Sequence, residues 1–206
     1  MKISLSDTGK RYNREWIFRH LSFTFESGTH YAITGSNGSG KSTLLQVLAG
    51  SLTHSEGTVH YERNGQTVAP DRVFAHISLV APYLELPEEM SLEEFLQFHF
   101  QFKPLLPGLS TTEIVETVGL QQALHKQIRY YSSGMKQRVR LAQAIFANTT
   151  ALFLDEPCTN LDAEGIALYH SLVDRYCRNR LVVVSSNEEQ EYRFCSRQLS
   201  ITDYKR

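Results

Sequence analysis

The 206-residue chain is poor in cysteine, balanced in charge and free of long apolar runs. Its three cysteines, Cys158, Cys177 and Cys195, are odd in number and widely spaced. Such a set makes neither a disulfide framework nor a zinc cluster, and reduced thiols in a cytoplasmic setting are expected. Lys plus Arg total 21 against 22 for Asp plus Glu, a net charge of -1. That balance argues against a non-specific nucleic-acid binder, so no nucleic-acid partner is expected. No segment approaches the roughly 20 apolar residues that span a bilayer. Residues 1–5 lack the apolar stretch of a signal peptide. This chain alone is therefore not expected to carry a solute across a membrane. Repeats and low-complexity tracts are also missing.

What is present suffices for a packed core: 41% of residues are hydrophobic and 21% charged. The length predicts one domain, with room for a subdomain. Leu21, Phe23 and Phe25 alternate with polar residues, as in a strand. Glu26-Ser27-Gly28 turns the chain, and residues 30–34 read as a short buried strand. A glycine-rich segment precedes a helix over 41–49, which Gly50 stops. Asn64-Gly65 is a hairpin turn between runs 58–63 and 66–68, and residues 73–81 read as another strand. Prolines at 82, 87, 104 and 107 punctuate the middle. Ser91 with Glu94, and Ser110 with Glu113, have capping-box spacing, so the middle is expected to be helical. From 151 onward strands (151–155, 181–185, 198–201) alternate with helices (163–177, 189–195), which predicts an α/β domain with a largely parallel sheet.

Residues 35–43, Gly35-Ser36-Asn37-Gly38-Ser39-Gly40-Lys41-Ser42-Thr43, fit G-x-x-x-x-G-K-[ST]. Glycines let the backbone curl until several N–H groups face one anion, and the positive end of the following helix adds to that field. Lys41 would reach the β- and γ-phosphates, and Ser42 would place its hydroxyl on Mg²⁺. The run Ala151-Leu152-Phe153-Leu154-Asp155-Glu156 is an apolar strand ending in two carboxylates. Asp155 can hold Mg²⁺; Glu156, on the other side of the strand, can polarise an attacking water.

A third motif, Tyr131-Ser132-Ser133-Gly134-Met135-Lys136-Gln137-Arg138-Val139, stands just before that strand. Alone, Ser132-Ser133-Gly134 is a helix cap. In this order it resembles the signature of the ATP-binding cassette (ABC) ATPases, and Cys158-Thr159-Asn160-Leu161-Asp162 resembles their D-loop. The resemblance covers residues 2–200 and is closest to small bacterial exporter cassettes, the haem-exporter type among them. It implies a P-loop NTPase (RecA-like) α/β fold: a parallel sheet core with an N-terminal antiparallel β subdomain and an inserted α-helical subdomain. The core would span about 1–82 and 148–206, the helical subdomain about 83–147.

The resemblance further implies a head-to-tail dimer, most simply of identical copies. Each of two ATP molecules would lie between one copy's phosphate loop and the other's Ser132, Ser133 and Gly134. Tyr12 would stack on adenine, although it also reads as an ordinary loop tyrosine. The partner would be a membrane-spanning permease subunit, placing the chain on the cytoplasmic face of the inner membrane. Docking is expected around 83–102, with only 83–90 of that aromatic-rich stretch exposed. A non-transport or hydrolysis-impaired cassette, acting as a regulatory or assembly partner, stays open as the alternative.

Two positions break the pattern. Pro82 stands where the family carries glutamine, and no glutamine lies between Gln66 and Gln97. Asn187 stands where it carries a switch histidine, and the last histidine is His170. Proline offers no side-chain ligand, and asparagine hydrogen-bonds without ever becoming cationic. These losses bear on hydrolysis more than on binding, and slow rather than absent turnover is expected.

Overall fold

The computed structural model describes residues 1–205. They form two compact units, one of Met1–Leu79, Thr150–Glu156 and the chain from Asn179 onward, the other of Val80–Thr149 and Pro157–Arg178.

The first unit carries two sheets. The antiparallel one is formed by β1 (Lys2–Tyr12), β2 (Glu15–Glu26), β4 (Glu56–Arg63) and β5 (Gln66–Thr67), in the order β2-β1-β4-β5. The residue pattern alone predicts no strand at β1. Its in/out alternation is broken by register shifts between Leu5 and Thr8 and again near Lys10, so period two never runs long enough to see. Asn64 and Gly65 both take positive φ between β4 and β5, as the hairpin turn requires.

The second sheet contains β3 (His30–Thr34), β6 (Ile77–Val80), β7 (Ala151–Asp155), β8 (Leu181–Ser185) and β9 (Arg197–Ser200), ordered β6-β7-β8-β3-β9. β7 with β8, β8 with β3 and β3 with β9 are parallel pairs. Every residue of β7 and β8 is buried, which is why both read as unbroken apolar runs. Helix α1 (Lys41–Leu48) follows β3 and buries Leu44, Leu45, Val47 and Leu48 in a core with Phe18, Phe25, Ile33, Phe153 and Val183.

Two expected elements differ. Residues Pro70–His76 form 3₁₀ turns, and strand covers only Ile77–Val80. Pro70, at the first turn, has a fixed φ and no N–H to give a ladder, so the strand cannot begin before it has passed. The helix expected over 189–195 is shorter, Glu189–Tyr192.

The second unit is helical: α2 (Leu92–Phe102), α3 (Thr111–Thr117), α4 (Ser133–Ile145) and α5 (Ala163–Tyr176). Both capping boxes form. Ser91 N donates to Glu94 Oε2 at 2.8 Å, and Ser110 N to Glu113 Oε2 at 2.7 Å, with the serine hydroxyls accepting in return. Ile114, Val115, Val139, Leu141, Ile145, Phe146 and Tyr169 are buried. The expected exposure of 83–90 alone is corrected twice. Leu86 is buried, whereas Phe98 and Phe102 on α2 are 46% and 71% exposed and meet edge to face at 5.1 Å. Only Leu92, Phe95 and Leu96 of α2 turn inward, so its aromatics occupy two faces. No helix among the described residues is long and apolar enough to cross a membrane.

Candidate functional site

The register of the parallel sheet decides what meets at its carboxyl edge. Asp155 on β7 is level with Ser185 on β8, and Ser185 with Ile33 on β3. The loop that leaves β3, the carboxylates that end β7 and the chain that leaves β8 therefore emerge side by side. Open α/β sheets bind ligands at this edge.

Residues 37–43, with Ile17 and Glu156, line a cavity of about 250 Å³. Gly40 caps α1 at φ 104°, and a Cβ there would collide with the side chain of Ile17. Only glycine meets both demands. No side chain caps α1, and its first turn carries no acidic residue, so its free N–H groups and positive dipole end face the cavity unneutralised. Ile17 is a site residue that sequence reasoning missed; one apolar residue in a strand carries no signal.

Lys41 is buried, and its Nζ donates to Gly35 O at 2.9 Å and Ser36 O at 3.3 Å. Burial lowers its pKa, while the charges of Glu156 and Asp155 act against that fall. Asp155 is buried, and its Oδ1 has no hydrogen-bond donor; Ser39 Oγ and Ser185 Oγ are buried and unpartnered as well. A buried carboxylate oxygen without a donor is costly unless a ligand supplies the charge, and a hard cation fits it. Glu156 is exposed, takes φ 45°, and its N donates to Ser185 O at 2.9 Å. Ser42 and Thr43 are half-buried in the cavity wall, and Gly35, Ser36 and Gly38 complete the loop. Asn187 Nδ2 donates to Asn37 Oδ1 at 2.5 Å, a pairing across 150 residues of sequence.

Tyr12 is not among the residues lining this cavity. It ends β1 opposite Glu15, 47% exposed, with the Lys10 ammonium 5.0 Å from its ring centroid.

The helical unit holds a second cleft, about 680 Å³. Ser132, Ser133, Gly134, Met135 and Arg138 face it, together with Asn160–Asp162 and residues 119–123. Ser132 caps α4 by accepting from Met135 N at 3.2 Å. A Cβ on Gly134 would lie 3.1 Å from Asn160 O, so the signature glycine lets two segments approach closely. Gln137 Nε2 donates to Pro157 O at 2.7 Å, and Asp162 caps α5 by accepting from Gly165 N at 2.8 Å. Arg138 Nη2 lies 3.9 Å from Asp162 and 3.8 Å from Glu164. Arg138 belongs to the signature motif itself, whereas residues 119–123 were not singled out from sequence, because they come from a separate segment that only the fold brings to this cleft.

A glycine loop after a parallel strand, an uncapped helix behind it and a strand-end carboxylate pair define a P-loop ATPase. The sequence pattern of the ABC transporter family matches residues 18–159, and the chain belongs to that family as an ATP-binding subunit with ATPase activity. It is similar to the ABC transporter ATP-binding protein YybJ of Bacillus subtilis, with 29% identity over 92% of this chain and 87% of that one. To the cytochrome c biogenesis ATP-binding export protein CcmA of Rhizobium meliloti it is 31% identical, over 92% of each. In fold it matches an ABC transporter ATP-binding protein from Pyrococcus furiosus, at TM-score 0.83, 23% identity and full coverage of both chains.

Proposed function

We propose that this chain energises a membrane transporter of the exporter kind by binding and hydrolysing ATP. The reading rests above all on the convergence of the glycine loop, Lys41, Asp155 and Glu156 at one sheet edge, with an Asp155 oxygen buried and unpartnered. Backbone N–H groups of residues 35–43 and the Lys41 ammonium would hold the phosphates, giving up Lys41's present carbonyl contacts. Ser42 and Asp155 would hold Mg²⁺, which supplies charge neutralisation at the phosphate oxygens. Glu156, exposed at the cavity rim, would orient and deprotonate the attacking water. A 250 Å³ cavity suits the phosphate tail, so adenine would lie outside it, on the exposed ring of Tyr12.

The chain would work as one ATPase domain, with a core of about 1–82 and 148–206 and a helical subdomain of about 83–147. Two copies would close head to tail, each offering Ser132, Ser133 and Gly134 to the nucleotide on the other's loop. A membrane-spanning permease would dock on the exposed aromatics Tyr83, Phe98 and Phe102 and hold the subunit at the cytoplasmic face of the inner membrane. Export is supported by the relative named as an ATP-binding export protein.

The test is Glu156→Gln in purified protein with Mg²⁺ and ATP. Phosphate release should fall roughly 10²- to 10⁴-fold while ATP still binds. Equal release by the variant and the wild type would remove Glu156 from the mechanism.

A further inference from the structure

Asn187 follows β8 directly after Ser186, whose N donates to Ile33 O at 3.2 Å and whose Oγ accepts from Glu188 N at 2.9 Å. Those two bonds pin the turn on both sides of Asn187 and set it level with the loop that leaves β3. Its carboxamide then donates to Asn37, the third residue of the glycine loop and a lining residue of the phosphate cavity. Both side chains are exposed, so the pair sits at the rim and can open without breaking the core. It is also neutral on both sides. An amide donor gains more from a charged phosphate oxygen than from an amide carbonyl.

We propose that Asn37 and Asn187 form a clasp that competes with nucleotide for the Asn187 amide. The competition sets how strongly the site prefers a triphosphate to a diphosphate. A terminal phosphate reaching the rim takes the donor from Asn37. A diphosphate, one phosphate shorter and seated at the helix end of the loop, leaves the amide pair closed. Because asparagine does not titrate, the preference carries no histidine-like pH step. The inference rests on ATP being the occupant of the cavity.

A double-mutant cycle read by isothermal titration, with ATP and with ADP as separate probes, tests it. Asn37→Ala frees the Asn187 donor, so ATP affinity should rise about three- to tenfold relative to any change in ADP affinity. In an Asn187→Ala background the same substitution should leave the ATP-to-ADP ratio unchanged to within about twofold. Loss of cradle contacts by Asn37→Ala would appear equally in both backgrounds and cancels in the cycle. Melting curves of all four proteins confirm that each is folded. An Asn37→Ala effect of the same size in both backgrounds, or one that moves ADP as much as ATP, overturns the clasp and leaves ATP binding intact. A folded wild type that binds neither nucleotide brings down the clasp and the ATP reading together.

Discussion

The phosphate cavity and the signature cleft both stand at helix N-termini, and the remaining main helices show how unusual those two termini are. The first turns of α2, α3 and α5 carry Glu93 and Glu94, Glu113, and Glu164, carboxylates that offset the dipole, and Glu94 and Glu113 also accept the N–H of their cap serine. Neither α1 nor α4 has an acidic residue in its first turn. They differ from each other as well. At α1 even the cap is missing, because Gly40 has no side chain to offer, whereas at α4 Ser132 takes up one N–H and leaves the dipole unneutralised. Three helices of the helical unit, α2, α3 and α5, carry acid in their first turn, and the two acid-free termini, α1 and α4, are the ones suited to an anion. The uncapped terminus also has a buried cation beside it, Lys41; the signature cleft has Arg138, which leans toward Asp162 and Glu164.

The contrast is tested most strongly at Lys41. Lys41→Ala takes away the one buried cation of the cavity and leaves Asp155 and Glu156 to repel a polyphosphate. ATP affinity should fall roughly ten- to hundredfold, the range for a hydrogen bond to a charged group. Titration calorimetry on the folded variant measures this. A Kd within about twofold of wild type would mean that helix N–H groups alone hold the phosphates.

At α4 the cap and the anion site can be pulled apart. Ser132→Asp keeps a capping oxygen for Met135 N and places a negative charge at the dipole's positive end, so thermal stability should hold. The same charge would face the partner copy's terminal phosphate. ATP-induced dimerisation, followed by size-exclusion chromatography in a Glu156→Gln background, should weaken about tenfold or more, while ATP affinity of the single copy stays put. Ser132→Ala should do the converse to the fold and cost about 1 kcal/mol of stability. Undiminished dimers in Ser132→Asp would return Ser132 to a purely structural role.

Much of this was legible in sequence where the chemistry is local. The glycine loop, the Asn64-Gly65 turn and both capping boxes are written in contiguous residues, and each forms. Buried parallel strands were legible as apolar runs at β7 and β8. Reading failed where a nearby irregularity overrode a pattern. Bulges hid β1, and Pro70 turned Val73 and Phe74 into a 3₁₀ segment despite their strand-like composition. It failed again where exposure depends on tertiary neighbours, as for Phe98 and Phe102. Asn187 was visible as a departure, but its partner Asn37 could come only from the sheet register that brings β8 beside β3.

The smallest expected effect belongs to the carboxylate-capped helices and completes the comparison. Glu94 has its pKa lowered by the backbone N–H of Ser91 and then by its hydroxyl; Glu113 by the Ser110 hydroxyl and then its N–H. A folded-state pKa below the unfolded value means that the unfolded chain binds more protons in this range. The contribution is therefore present above the ordinary glutamate value of 4.5 and is lost as pH falls through the lowered values. Glutamine at both positions keeps the reach-back hydrogen bond and removes the charge. At neutral pH the wild type should melt slightly higher than the Glu94→Gln, Glu113→Gln variant, and the gap should close in acid. Equal melting of wild type and variant at neutral pH would place the stabilisation in the hydrogen bond alone. The acid-free first turns of α1 and α4 would then owe nothing to charge.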